Sequence, residues 1–377
     1  MVSKSLTVLQ VLPALESGGV ERGTLEVGKY LVDKGHRSIV MSAGGRMVEQ
    51  LIQEGSEHYT WQIGKKSLWT LMLISKLRHF LVEHQVDVLH VRSRMPAWIC
   101  YLAWKGMPEK SRPRLVTTVH GPYSVSPYSA VMTKGERVIA ISEMIRTYIL
   151  THYPQVSEQH IRLIYRGVDA AVFTHGFKPD ALWMQAWQAH YPHLVGKRLL
   201  TIPARLTRWK GQEDFIAMMA KLVESGLDVH GLIVGEAQAG KQDFLSDLQS
   251  QVQSLGLEKH ITFIGHRSDV REVMAISHIV YSLAKEPEAF GRTTLEALSM
   301  GVPVIGYDHG GVSEQLNKLL PEGAITVGHQ AQLLEVTKRW LMHAPRVKVN
   351  EVFTLQSMLD KTFDVYCELA QATKLDR

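Results

Sequence analysis

Short apolar runs alternate with segments of helical apolar spacing along this chain, and the alternation stops once and then restarts. Segments 6–12, 38–41, 86–91, 115–119 and 138–141 are continuous apolar runs of strand length. Between them, 20–32, 68–82 and 145–153 repeat apolar residues every three to four positions. Strands buried on both faces, joined by crossover helices, make a parallel α/β sheet. Residues 165–197 interrupt the pattern with Gly167, Gly176, Pro179, Pro192 and Gly196 around one helix rich in Trp (Trp183, Trp187). A second set of runs follows at 198–203, 229–234, 261–264, 279–282 and 302–305. The expected architecture is α/β, with two Rossmann-like domains of parallel sheets flanked by helices. The boundaries are expected at 1–175 and 176–354. A final helix, striped with apolar residues over about 352–372, needs a surface to cover and is expected to return as 355–377 to the first domain.

At 377 residues, with 45% apolar and 21% charged content, the chain can fill two cores. Two cysteines, Cys100 and Cys367, cannot build a disulfide framework, which points to a reducing, cytoplasmic setting. Residues 6–13 are too short an apolar run for a signal peptide, and no uncharged apolar stretch is long enough to span a bilayer. Charge is uneven: residues 1–178 carry 22 Lys and Arg against 14 Asp and Glu, a net +8, and the remainder is −3. A basic first half suggests an anionic partner. Candidate contacts are Lys65-Lys66-Ser67-Leu68-Trp69 and the run Trp104, Lys105, Lys110, Arg112, Arg114. Peripheral contact with an anionic membrane surface fits this charge; nucleic acid does not, for no recognised binding motif accompanies it.

The richest segment is Glu288-Ala289-Phe290-Gly291-Arg292-Thr293-Thr294-Leu295-Glu296, running on to Gly301-Val302-Pro303. It sets two carboxylates eight positions apart, the first in a Phe-Gly loop and the second expected at the start of a short helix. Such a pair can hold two sets of hydroxyls, as on a sugar and a ribose. Upstream, Arg205 and Lys210 follow the first strand of the second domain and precede Gly211. Ligands bind at strand carboxyl ends in open α/β sheets, and a guanidinium fork with an ammonium could neutralise a diphosphate. Gly235, and Ile264 with His266 and Arg267, end two further strands and could hold a base. Gly18-Gly19 opens the first helix, where backbone can approach an anion, though the dinucleotide fingerprint is absent. His120, beside Gly121 at a strand end, could donate to a sugar hydroxyl. No Cys/His cluster has zinc spacing, and no Asp-x-Asp pair is present to bridge a metal to a diphosphate.

These residues together resemble the retaining nucleotide-sugar glycosyltransferases of group one, whose GT-B fold sets two Rossmann-like domains facing across a cleft. Glu288 through Glu296 is similar to the family's E-x7-E motif. Arg205 and Lys210 resemble its diphosphate-binding pair, Gly18-Gly19 its N-domain loop, and His120 the His beside the reacting carbon. The family's Asn-Gly-Val-Asp stands here as Arg166-Gly167-Val168-Asp169, with Arg in place of Asn. The resemblance implies catalytic roles for His120, Arg205, Lys210 and Glu288. It implies donor contacts from Gly18, Gly19, Gly235, Ile264, His266, Arg267, Ala289, Phe290, Gly291, Arg292, Thr293 and Glu296. It further implies a hexose or N-acetylhexosamine donor on a nucleotide diphosphate (UDP favoured), no metal and no cofactor. The acceptor would be a saccharide or lipid-linked saccharide, in lipopolysaccharide or cell-surface glycan assembly, at the inner face of the cytoplasmic membrane. The alternatives are a nucleotide-sugar epimerase or sugar-phosphate synthase on the same fold, a non-catalytic nucleotide-sugar-binding protein, and a nicotinamide-dependent oxidoreductase.

Overall fold

The computed structural model describes residues 5–16, 18–237 and 243–375. The chain divides into two compact units, Met1–Arg166 with Gln356–Arg377, and Gly167–Leu355. The break falls nine residues before the expected position. Its physical reason is Arg166, whose side chain is buried in the first unit beside His120.

The first unit holds seven parallel strands: β1 (Thr7–Val11), β2 (Arg37–Ser42), β3 (Glu57–Thr60), β4 (Val88–Val91), β5 (Arg114–Val119), β6 (Arg137–Ala140) and β7 (Ile161–Leu163). Their spatial order is β3-β2-β1-β4-β5-β6-β7, so the chain reverses direction across the sheet between β1 and β4. Val8, Leu9, Val88, Leu89 and Val116 are fully buried, as continuous apolar runs require of strands covered on both faces. The helix Leu355–Leu375 packs on this unit. Its Asp360 accepts from the Tyr30 hydroxyl at 2.6 Å, and its Glu368 takes Arg137 and Arg162 together.

The second unit repeats the scheme with β8 (Arg198–Pro203), β9 (Val229–Val234), β10 (Ile261–Gly265), β11 (Ile279–Ser282), β12 (Val304–Tyr307) and β13 (Ala324–Ile325), ordered β10-β9-β8-β11-β12-β13 and all parallel. Here the reversal lies between β8 and β11. The Trp-rich helix, Ala181–His190, stacks Trp183 on Trp187 and packs Trp187 into a core with Leu199, Leu232 and Val273.

Two expectations change. Segment 68–82 is not one helix: a 3-10 turn, Leu68–Met72, started by the Ser67 hydroxyl, leads into a helix over Leu73–Glu83. The basic run near 104–114 is largely neutralised within the unit. Arg112 pairs with Glu109 and lies over the Trp104 ring, and Arg114 pairs with Glu136.

Candidate active site

In the second unit a cavity of about 280 Å³ opens where β8, β9 and β11 end, at the strand reversal. Crossovers leave that sheet on opposite faces there, which opens a crevice at the carboxyl ends. Val280, Tyr281 and Leu283 supply its apolar lining, and Arg205, Lys210, His266, Arg267, Glu288, Thr293 and Thr294 its polar groups.

Lys210 and Glu288 form the central contact, Nζ to Oε1 at 2.7 Å, with side chains only 12% and 21% exposed. They are 78 positions apart and reach each other because backbone packs on backbone. Gly211 is left-handed (φ 80°), and a Cβ there would lie 2.0 Å from the Leu283 carbonyl oxygen. Only glycine lets the Lys210 loop lie against the exit of β11. Lys210 Nζ also sits 4.2 Å from the centre of the Trp209 ring. Arg205 is exposed on the rim, and its guanidinium has no hydrogen bond or ion pair among the described residues.

Gly291, also left-handed (φ 84°), caps the helix Arg292–Ser299, whose first turn brings Thr293 and Thr294 to the cavity. A helix N-terminus there favours an anion. The loop bearing Glu288 is braced from a glycine pair not singled out in the sequence. Gly311 donates its N–H to the Glu288 carbonyl at 2.8 Å, and a Cβ on Gly311 would meet Phe290 Cα at 2.4 Å. Gln315 donates to the Phe290 carbonyl at 2.5 Å. The available signal was the Gly-Gly pair opening a helix after a strand, the same pattern as Gly18-Gly19.

Several residues expected to contact the donor are not among those lining this cavity. Glu296 is in the second turn of its helix, not at the start, and faces Arg292 at 3.6 Å. Neither it, Arg292, Ala289, Phe290 nor Ile264 lines the cavity. Phe290 is buried edge-on to Phe353, because a large aromatic gains more from the core than from a wet pocket. Ile264 packs against the Trp187 core for the same reason. Arg267 lines the cavity but is tethered by two bonds to Asp269, at 2.8 and 2.6 Å. Gly235 lines it as expected, folded so closely over Ala204 that a Cβ would lie 2.2 Å from its carbonyl oxygen.

Gly18, Gly19 and His120 belong to the first unit. Gly18 and Gly19 begin the helix Gly19–Asp33. At the strand reversal of that unit lies a buried polar network. Gln10 on β1 accepts two bonds from Arg92 (2.9 and 2.5 Å) and donates to the Thr24 carbonyl. His90 on β4 lies between the Tyr366 and Thr118 hydroxyls at 2.6 and 2.7 Å. Arg166 donates to His120 Nδ1 at 3.0 Å. Burial, then the nearby guanidinium of Arg92 and of Arg166, holds the His90 ring well below its ordinary pKa. Burial, then Arg166, Arg92 and His90, does the same to His120. Among the described residues, no group of three or more His, Cys, Asp or Glu is placed to hold a metal ion. No described helix is long and apolar enough to cross a membrane.

Two family models match in tandem: Glycosyltransferase Family 4 over residues 17–172 and Glycosyl transferases group 1 over 184–351. The crystal structure of a glycosyltransferase from Rickettsia africae superposes with a TM-score of 0.86 at 30% identity, over 97% of this chain and 99% of that one. The chain belongs to the group 1 glycosyltransferases. This glycosyltransferase has the GT-B fold of its structural neighbours, with two parallel sheets flanked by helices. It is 26% identical to the N-acetyl-alpha-D-glucosaminyl L-malate synthase of Bacillus anthracis over 386 aligned positions, 96% of each chain. A 118-residue stretch, 31% of this chain and 33% of the relative, is 29% identical to the lipopolysaccharide core mannosyltransferase LpsB of Rhizobium meliloti. Anabaena HepE, solved with UDP and glucose, matches in fold with a TM-score of 0.79 at 21% identity, over 96% of this chain and 99% of that one.

Proposed function

We propose that this glycosyltransferase moves a hexose or N-acetylhexosamine from a nucleotide diphosphate sugar, with UDP favoured, to a saccharide acceptor, retaining the anomeric configuration. The observation that carries the reading is the Lys210–Glu288 pair beside the Gly291-capped helix N-terminus in the cavity at the β8/β11 reversal. A diphosphate there would meet cations and backbone N–H groups at once. Lys210 would turn from Glu288 to the leaving phosphate, with Arg205 closing from the rim, and Glu288 would be released to accept from sugar hydroxyls. His266 and the tethered Arg267 would flank the base, and Gly235 would let it approach the backbone. The Anabaena protein solved with UDP and glucose and the N-acetylglucosaminyl relative from Bacillus support a nucleotide-sugar donor.

In the reaction, the bond from the anomeric carbon to the phosphate oxygen breaks through an oxocarbenium-like state. The acceptor oxygen bonds that carbon on the same face, and its proton passes to the departing phosphate. The cations in this reading are Arg205 and Lys210, so no metal is needed and turnover should persist in excess chelator. The acceptor would be a saccharide or lipid-linked saccharide of lipopolysaccharide or surface glycan. The exposed Trp69, Leu71 and Met72 beside Lys65, Lys66 and Lys76 suit a peripheral contact with an anionic bilayer. The deciding experiment supplies a panel of labelled UDP, GDP and ADP sugars with saccharide acceptors and follows the product by mass and anomeric NMR. A product of inverted configuration, turnover abolished by EDTA and restored by manganese, or donor conversion without any acceptor would overturn the reading.

A further inference from the structure

The family pattern Asn-Gly-Val-Asp carries Arg at its first position here, and that Arg166 is only 6% exposed. We infer that Arg166 is a positioning residue that fixes His120 as the tautomer with its hydrogen on Nε2. A guanidinium has five N–H donors and no acceptor. Its Nη2 lies 3.0 Å from His120 Nδ1, so Nδ1 must present a lone pair. A ring protonated at Nδ1 would set N–H against N–H at that distance. The ring hydrogen therefore stands on Nε2, and Nε2 is buried with no hydrogen-bond partner among the described residues. A buried N–H left unpaired is costly, and is tolerated where a ligand later accepts from it.

A second, independent feature holds the guanidinium in place. Gly23, on the helix Gly19–Asp33, faces it with bare backbone. A Cβ at that glycine would lie 2.2 Å from Arg166 Nη1 and 2.9 Å from Cζ. Arg166 Nη1 also points at Met358 Sδ, 3.7 Å away. The charged and titratable neighbours of His120 are Arg166, Arg92 and His90, and the Tyr123 hydroxyl accepts from its backbone N–H at 3.3 Å. Every charge in that set is positive, which disfavours a proton on the ring. His120 is thus built to donate from Nε2 and not to act as a base there. The tautomer does not depend on which group accepts from Nε2.

The test is 15N NMR of histidine-labelled full-length protein, with His120 assigned by its loss in His120→Gln. The wild type should show a protonated Nε2 and an unprotonated Nδ1, unchanged from pH 8 to pH 5.5. Arg166→Met should give an averaged tautomer pattern. Met keeps the apolar stem of Arg166 beside Met358, and a thermal melt checks that the variant folds before the spectra are compared. A hydrogen on Nδ1 in the wild type, an ordinary titration of its His120, or an unchanged pattern in Arg166→Met would each overturn the inference. In parallel, the kcat of Arg166→Met should fall by up to about 100-fold, the cost of a group displaced by about 1 Å. Altered NMR with unaltered kinetics would show that His120 Nε2 takes no part in turnover and leave the positioning role standing.

Discussion

The two units share one topology and treat its most useful point in opposite ways. In each sheet the strand order reverses once, at β1/β4 and at β8/β11. The second reversal is an open cavity of about 280 Å³ with a rim arginine and an ion pair that a ligand can part. The first holds the buried, hydrogen-bonded side chains of Gln10, Arg92, His90 and Tyr366. The same crossover geometry thus supplies a crevice, and side-chain volume decides whether it stays one. Gln10 on β1 and Arg92, just past β4, occupy that point in the first unit; Pro203, Ala204 and Gly235 line the cavity in the second. The consequence is a division of sensitivity: substitutions at the open point should cost turnover, and those at the filled point should cost stability.

The largest expected effect is at the open point. Lys210→Ala and Glu288→Ala should each lower kcat by about 100- to 1,000-fold, equal to removing one well-placed electrostatic donor. Melting temperatures should stay close to the wild type, since the pair is partly exposed and an unpaired partner can reach water. Near-normal turnover in both variants would break the comparison at its centre. Next in size, UDP at 100 times its Kd should stabilise the native state by about 2.7 kcal/mol. In a calorimetric scan that resolves two transitions, only the transition of the second unit should move. A shift confined to the other transition would place the nucleotide elsewhere.

At the filled point, Gln10→Ala removes the acceptor of two bonds from an arginine that is 2% exposed. The expected loss is about 1.5–3 kcal/mol, the range for a hydrogen bond to a charged group. Denaturant midpoints should fall while the Kd for UDP holds. Weakened UDP binding with intact stability would show that the first reversal is itself a ligand site.

How much of this was legible follows the same physics. The central strands were readable because burial on both faces demands unbroken apolar runs, as in Val88–Val91 and Val229–Val234. The strands not anticipated, β3, β7 and β13, all lie at sheet edges and are short. Glu57-His58-Tyr59-Thr60 carries no apolar signal because one of its sides faces water. In the site, Arg205, Lys210 and Glu288 were readable as charges that had to follow strand ends. The side-chain packing of Phe290 and Ile264 was not, because an apolar residue near a pocket can face either the pocket or the core. Gly311 and Gln315 act through backbone of distant residues, Glu288 and Phe290, and such contacts leave no local pattern. Arg166 was visible as a departure, but its partner His120 lies 46 positions away and only the fold joins them.

The smallest effect per step comes from acid, and it also separates the units. Burial lowers the pKa of His36, His58, His90 and His120 in the first unit, and of His230 (to about 4) and His278 in the second. An unfolded histidine titrates near 6.5. Below that pH the unfolded chain takes up protons that these folded rings refuse, so stability falls as pH falls, until each folded pKa is reached. For His230 that window runs from about 6.5 to about 4, and above pH 7 none of the six contributes. A fully buried ring such as His90 costs about 1.4 kcal/mol per pH unit once its unfolded form is protonated. Four rings of lowered pKa against two should make the transition of the first unit drop faster between pH 6.5 and 5. His90→Gln should flatten that dependence if its amide takes over the bonds to Tyr366 and Thr118. Equal acid slopes for the two transitions would mean that the filled reversal tolerates charge, and that the contrast between the units lies in volume alone.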